Sequence, residues 1–321
     1  MIFKELNALG ILGINNRVGR YILRHNKRAN YPLVDNKVLT AQRAEAWGIA
    51  TPENYLIVEN YGFLKKLDQK LQKYESFVIK PAKGSQGNGI VVIKEVIREE
   101  VNGVPRLLFR RSNDKLMDIE EVKHHISGIL SGLYSLSGQS DTAIIQAKID
   151  KHPIFDDYSF GGIPDIRVIV FEGFPVMTMV RLPTKSSDGR ANLHQGAIGA
   201  GLDLSNGQTI NAVIRNQVVD IHPDTGHKLS GLKLPFWRET LELAARCYDM
   251  VELGYLGADI VLTPDQGPIL LELNARPGLG IQIANLSGLV PRLEKIRLEA
   301  PRNLLARERV EFSINNFKAS Q

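Results

Sequence analysis

Two apolar runs in the last third of the chain, Leu256–Leu262 and Ile269–Leu273, are short enough and close enough to pair as a β-hairpin. Each carries an acid. Asp259 sits within LGADIVL, and Glu272 is followed by Asn274 in ILLELNARPG. A carboxylate in an apolar run is costly to bury unless a cation answers it. Residues two apart on a strand share a face, so Glu272 and Asn274 point the same way, and Asp259 can join them from the partner strand. Two carboxylates and an amide suit Mg2+, or Mn2+ in its place, with substrate phosphates completing the shell. A strand whose outer face is simply polar remains the alternative.

A second constraint lies upstream. The segment PAKGSQGNG, residues 81–89, separates the β-rich runs Phe77–Lys80 and Gly89–Ile93. Its glycines free the backbone to turn tightly and to present N–H groups to an anion. It is neither GxGxxG opening a helix nor GxxxxGK[ST], which excludes the dinucleotide and Walker readings. A Gly-rich loop between two antiparallel strands is a different phosphate device, a flap over a triphosphate, with Lys80 bringing an ammonium to its base. An ordinary hairpin loop is the plainer reading.

Between these motifs lies a basic and amide-rich set: Arg167 after Asp165, then Arg181, then Arg190, Asn192 and His194 in GRANLHQGA. Such residues could neutralise charge on a transferring phosphoryl group. His194 by itself reads as structural. Nothing supplies a nucleophile elbow or oxyanion donors, so a Ser/His/Asp or Cys/His mechanism is not indicated. The single cysteine, Cys247, falls within an amphipathic helix as a core residue, excludes an internal disulfide and fits a reducing compartment.

The rest of the chain reads coarsely. A basic segment over residues 1–33 places Arg17, Arg20, Arg24, Lys27 and Arg28 at helical spacing, either as a solvated face or toward an anionic ligand. Helices are predicted from Thr40 as N-cap to Trp47, over Phe63–Tyr74, over Asp118–Leu133 and over Trp237–Leu253. A hairpin turns at Asn102–Gly103. Further strands are predicted over Thr142–Ile149, Asp165–Glu172 and Pro175–Arg181, and the segment from Asn303 is expected to fray. Hairpins rather than βαβ crossovers indicate α+β lobes with antiparallel sheets, not a doubly wound sheet.

The net charge of +5 over 321 residues is mild and interleaved, which argues against a nucleic-acid partner, and no aromatic platform accompanies the basic segment. No run of 18 apolar residues and no secretory signal occur, so neither membrane insertion nor export is expected, and a cytoplasmic location follows.

Taken in order, the motifs resemble the ATP-grasp superfamily, nearest its RimK-like α-L-glutamate ligases. The matching stretches are Asp35-Asn36-Lys37 with Thr40 and GIATP (48–52), FVIKP…GSQGNGI (77–90), IIQAKI (144–149), DIRVIV (165–170), GRANLHQG (189–196) and ADIVL…LLELNARPGL. The resemblance implies two α+β lobes gripping ATP, with an N-lobe over 34–145, a C-lobe over 146–300 and a tail over 301–321. It implies phosphate contacts from Lys37 and Lys80, and a flap from Gly84, Ser85, Gln86, Gly87 and Gly89. It also implies an adenine hinge at Gln146, Ala147, Lys148 and Ile149, nucleotide contacts from Asp165, and a phosphate-side loop with Arg190 and Asn192. Asp259, Glu272 and Asn274 then match the Mg2+ ligands, and Arg276 and Gly278 would face the substrate carboxylate or amine. The implied reaction is ATP-dependent amide formation through an acylphosphate, with Arg181 stabilising that intermediate. The acceptor would be an amino acid, a peptide or a protein tail.

Two departures stand out. Relatives carry about ninety residues before the Asp-x-Lys motif, where this chain has 34, so a truncated N-terminal region is expected in place of the usual preceding domain. The hinge has Ala147-Lys148 instead of an acidic residue and an aromatic. A non-catalytic ATP- or ADP-binding regulatory module is the competing reading.

Overall fold

The computed structural model describes residues 5, 6, 8–84, 87–135 and 138–319. The chain divides into two units: residues 1–35, 39–51 and 150–321 form one, and residues 36–38 and 52–149 form the other. In this division residues 1–35 and 39–51 group with the C-terminal half.

The smaller unit is a six-stranded antiparallel sheet in the order β1-β6-β2-β3-β4-β5, with β1 Asn54–Val58, β2 Phe77–Pro81, β3 Val91–Val101, β4 Val104–Arg111, β5 Leu116–Asp118 and β6 Ala143–Gln146. Asn102 and Gly103, both at positive φ (54° and 77°), make the two-residue turn joining β3 to β4 where the Asn-Gly pair predicts it. The helix Ile119–Leu130 covers the sheet, burying Val122, Ile126, Ile129 and Leu130. Asp118 caps it: its side chain accepts from the Glu121 N–H at 2.9 Å, and Glu121 accepts from the Asp118 N–H at 2.9 Å. The predicted helix over 63–74 resolves into a 3₁₀ stretch Tyr61–Lys66 and a short helix Leu67–Leu71.

The larger unit holds a seven-stranded antiparallel sheet, β11-β10-β9-β8-β7-β12-β13. Its strands are β7 Asp165–Phe171, β8 Phe174–Leu182, β9 Ile198–Leu202, β10 Thr209–Ile214, β11 Gln217–Val218, β12 Tyr255–Thr263 and β13 Gly267–Asn274. All of β7 and β12 is buried, as is nearly all of β8, which explains why these strands read as continuous apolar runs. The helix Trp237–Val251 packs against β7, β8, β12 and β13, with Cys247 fully buried as predicted.

Three expectations are corrected here. The first long helix spans Lys37–Ala46, so Thr40 lies inside it, and its hydroxyl donates to the Leu33 carbonyl at 2.8 Å instead of capping. The segment expected to fray is a helix, Ala306–Asn316, which buries Arg309, Val310, Ser313 and Ile314 against the helix Trp237–Val251 and β8. Among the basic N-terminal residues Arg20, Arg24, Lys27 and Arg28 are exposed, and Arg17 departs from a solvated face. The helical run from Ile14 to His25 is interrupted by a π-helical stretch Arg17–Ile22, which changes their spacing, and Arg17 Nη1 donates to the Pro277 carbonyl at 2.6 Å.

Candidate functional site

In the larger unit the sheet register itself assembles the chemistry. Asp259 on β12 faces Arg167 on β7 and Glu272 on β13, while Asp165 on β7 faces Arg181 on β8. Asn274 is two residues beyond Glu272 on the same face. Asp259 Oδ1 accepts from Arg167 Nε at 2.7 Å, and its Oδ2 from Arg167 Nη2 at 2.5 Å, Arg181 Nη2 at 2.8 Å and Asn274 Nδ2 at 3.3 Å. Arg181 Nε also donates to Asp165 Oδ1 at 2.6 Å. The predicted residues Asp165, Arg167, Arg181, Asp259, Glu272 and Asn274 are therefore one cluster.

Its electrostatics follow from burial. Asp259 is inaccessible to solvent; burial raises its affinity for a proton, but the Arg167 and Arg181 guanidiniums outweigh that and hold it below the usual carboxylate range. Asp165 goes the other way. Burial, aided by the negative charge of Asp259, overcomes Arg181 and pushes it up to about 7. Burial also works against the charge on Arg181, but its two carboxylates keep it firmly cationic.

A divalent cation such as Mg2+ needs several hard oxygen donors. Among the described residues no three His, Cys, Asp or Glu side chains cluster to hold a metal, and this set has two carboxylates and one amide. The Glu272 carboxyl lies within hydrogen-bonding reach of Asp259. Two carboxyls that close repel unless a proton or cation lies between them, and hard oxygen donors of this kind fit Mg2+. Unlike the sequence expectation, Asp259 is already neutralised by two arginines, so it anchors them as much as it could face a metal.

The remaining residues predicted in this unit are less gathered. Arg190 is exposed. The Asn192 side chain accepts from the His194 N–H at 3.0 Å and so shapes the 3₁₀ turn Leu193–Gln195, while the His194 side chain is exposed. Arg276 is exposed with its guanidinium 4.9 Å from the centre of the Tyr31 ring, and Gly278 faces open space.

In the smaller unit, Lys37 Nζ donates to the Gly84 carbonyl at 2.8 Å, and Lys80 is buried on β2. Gly87 and Gly89 have φ of 76° and 75°, conformations that side-chain-bearing residues rarely adopt. Ser85 and Gln86 lie outside the described residues. At the expected hinge, the Gln146 side chain donates to Asn54 Oδ1 at 2.7 Å and to the Pro52 carbonyl at 3.2 Å. The Ala147 N–H donates to the Glu53 carbonyl at 2.8 Å, so an adenine contact at residue 147 cannot use that donor while the bond stands. Lys148 and Ile149 are half-buried. Sequence reasoning passed over His125 and Tyr134, which contact the Gly-rich segment: nothing local marks a histidine on the predicted helix, or a tyrosine just after it, as a neighbour of a loop 36 residues upstream.

A sequence profile described as sugar-transfer associated ATP-grasp matches residues 16–298. The chain belongs to that family. The two antiparallel α+β units are thus those of the ATP-grasp fold expected from the motifs, whereas the branch matched is the sugar-transfer associated one. No curated protein matches the chain. Solved structures similar to it include the ATP-grasp ligase PsnB complexed with a minimal precursor, at 12% identity and a TM-score of 0.45, covering 90% of this chain and 63% of that one. Others are the D-alanine–D-alanine ligase from Bacillus anthracis (13%, TM-score 0.42, 90% and 70%) and an ATP-grasp ligase associated with ribosomal peptides from Chryseobacterium gregarium (13%, TM-score 0.42, 87% and 64%). The chain spans about three fifths of the PsnB length. No helix among the described residues is long and apolar enough to cross a membrane.

Proposed function

We propose that this ATP-grasp protein is an ATP-dependent carboxylate–amine ligase. The observation that carries the reading is the buried cluster in which Asp165 and Asp259 hold Arg167 and Arg181 beside Glu272 and Asn274. Arginine–carboxylate pairs placed this deep are seldom the most stable filling of a core, since an apolar replacement is often as stable, and that supports a role for them in chemistry.

In the reaction, a substrate carboxylate oxygen attacks the γ-phosphorus of ATP and the bond to the ADP oxygen breaks, leaving an acylphosphate. An amine nitrogen then attacks the acyl carbon, phosphate departs, and the nitrogen loses a proton as the amide forms. Arg181, whose fork is fixed by Asp165 and Asp259, would stabilise the acylphosphate, and Arg190 and Asn192 would contribute from the phosphate-side loop. Glu272 and Asn274, with Asp259, would hold Mg2+ or Mn2+. The bound ion supplies positive charge to the phosphate oxygens. In the smaller unit Lys37, Lys80 and the backbone at Gly84, Gly87 and Gly89 would bind phosphates, and residues 146–149 the adenine. Arg276 and Gly278 would face the substrate. No protein nucleophile is needed.

Two supports bear on the choice of acceptor. The resemblance to RimK-like ligases favours an amino acid added to a peptide or protein, and the family description ties the chain to sugar transfer. The test measures phosphate release from Mg-ATP with pools of amino acids, acidic peptides and amino sugars, with mass spectrometry of any active pool. Pool-dependent release with a product equal to two reactants minus water is expected. Asp259→Asn and Glu272→Gln should each abolish it; full activity in either would overturn the assignment. Nucleotide binding with no release under any pool would favour the regulatory module.

A further inference from the structure

The turn that closes the Gly-rich segment is braced from one side. The Gly87 carbonyl accepts from the Ile90 N–H at 3.4 Å, which makes Gly87–Ile90 a turn. The Gly89 carbonyl lies 3.0 Å from His125 Nε2, on the helix Ile119–Leu130. A carbonyl only accepts, so Nε2 carries the hydrogen and Nδ1 of the neutral ring is an acceptor. Tyr134 Oη sits 3.3 Å from that Nδ1 and donates to it. The bonds therefore run in one direction, from the Tyr134 hydroxyl through the imidazole to the Gly89 carbonyl. Burial holds the His125 imidazole below its ordinary range, which favours the neutral ring this chain requires.

Gly89 makes room for the Tyr134 ring. A Cβ at Gly89 would lie 2.6 Å from Tyr134 Cγ, so only glycine lets the ring pack there. Gly132, at φ +86°, turns the chain back after the helix, and a Cβ there would meet the Gln139 carbonyl at 2.3 Å. The residue after Tyr134, Ser135, forms an isolated antiparallel bridge with Gly84. Residues 134 and 135 thus contact Gly89 and Gly84, one near each end of the segment.

We propose that His125 and Tyr134 are positioning residues that hold the Gly87–Ile90 turn in the shape that receives the phosphates of a nucleoside triphosphate. The proposal rests on the nucleotide-binding part of the reading above. Neither side chain need touch the nucleotide; they act by fixing the Gly89 peptide.

The test measures the Kd for Mg-ATP and the thermal midpoint of full-length protein in three variants. His125→Phe keeps an aromatic ring but removes both bonds, and is expected to weaken Mg-ATP binding about three- to tenfold, the worth of the hydrogen bond to the Gly89 carbonyl. Tyr134→Phe should weaken it less. His125→Gln, whose amide can donate to the Gly89 carbonyl, should restore most of the affinity lost in His125→Phe even where the two midpoints are equal. Unchanged affinity in His125→Phe, or His125→Gln binding no better than His125→Phe, overturns the proposal while leaving the ligase reading intact. Wild-type protein that binds no Mg-ATP overturns both.

Discussion

Arg167 and Asp259 face each other across β7 and β12, and the arginine closes a two-bond fork on the carboxylate, Nε to Oδ1 at 2.7 Å and Nη2 to Oδ2 at 2.5 Å. Planar guanidinium and planar carboxylate match in this geometry, which a lysine cannot reproduce. Asp259 has no solvent exposure and Arg167 little, so neither charge can be left alone. Arg167→Met should therefore lower the stability of the larger unit by about 3–5 kcal/mol, as expected when one partner of a buried pair is removed. Arg167→Lys should cost less, because a charge remains. Urea unfolding followed by far-UV circular dichroism checks both; a loss below about 1 kcal/mol in Arg167→Met would show that Arg181 alone satisfies Asp259.

A second prediction concerns the N-terminal segment. Asn26 is buried and pairs with the backbone of Tyr255 as a strand would: Tyr255 N donates to Asn26 Oδ1 at 2.8 Å, and Asn26 Nδ2 to the Tyr255 carbonyl at 2.7 Å. Asn26→Ala orphans both groups and should cost about 2–6 kcal/mol, at about 1–3 kcal/mol for each unsatisfied group. A change in the unfolding midpoint no larger than that of an exposed control would mean that water replaces the side chain.

The sheets were legible in the sequence wherever local pattern and tertiary demand agree. Asn102–Gly103 can hardly be anything but a tight turn, and Asp118 with Glu121 signals a helix start. The acids of β12 and β13 stood out because they interrupt apolar runs, and pairing them needed only the hairpin register. Their partners were less legible: that Asp259 meets Arg167 and Arg181 depends on β7 lying between β8 and β12, which no local signal encodes. The helix Ala306–Asn316 was missed for a related reason. It buries Arg309, which is paired with Asp249 at 2.5 Å, so its inner face contains charge and reads as polar. His125 and Tyr134 meet Gly89 only through the fold.

The thiol of Cys247 is predicted to be inert in the folded state. It is fully buried, and burial pushes it up to about 12 from its usual 9.0. Only the thiolate attacks a disulfide reagent, so dithiobis-nitrobenzoate at pH 8 should release no colour until the larger unit opens. The sign for stability follows: the folded value is raised, so the contribution is complete below about 9 and is lost as pH rises toward about 12. Labelling of native protein within minutes at pH 8 would show that the helix Trp237–Val251 opens locally.

Two glycine substitutions should act in opposite directions. Gly201 on β9 packs against the segment Gly280–Ala284: a Cβ there would lie 2.6 Å from the Ala284 carbonyl oxygen, a backbone atom that cannot swing aside. Gly201→Ala must push that segment off the sheet or bend β9, an overpacking cost of about 1–3 kcal/mol. Gly19 is exposed within the helical run of the N-terminal segment, and nothing lies within 4 Å of the Cβ it would gain. There the substitution only removes backbone freedom from the unfolded chain, and Gly19→Ala should stabilise by about 0.5–1 kcal/mol. Thermal midpoints of the two variants should fall on opposite sides of the wild type. If Gly201→Ala proves neutral, the Gly280–Ala284 segment yields more readily than a packed backbone should, and the tight approach between it and β9 does not constrain the sequence.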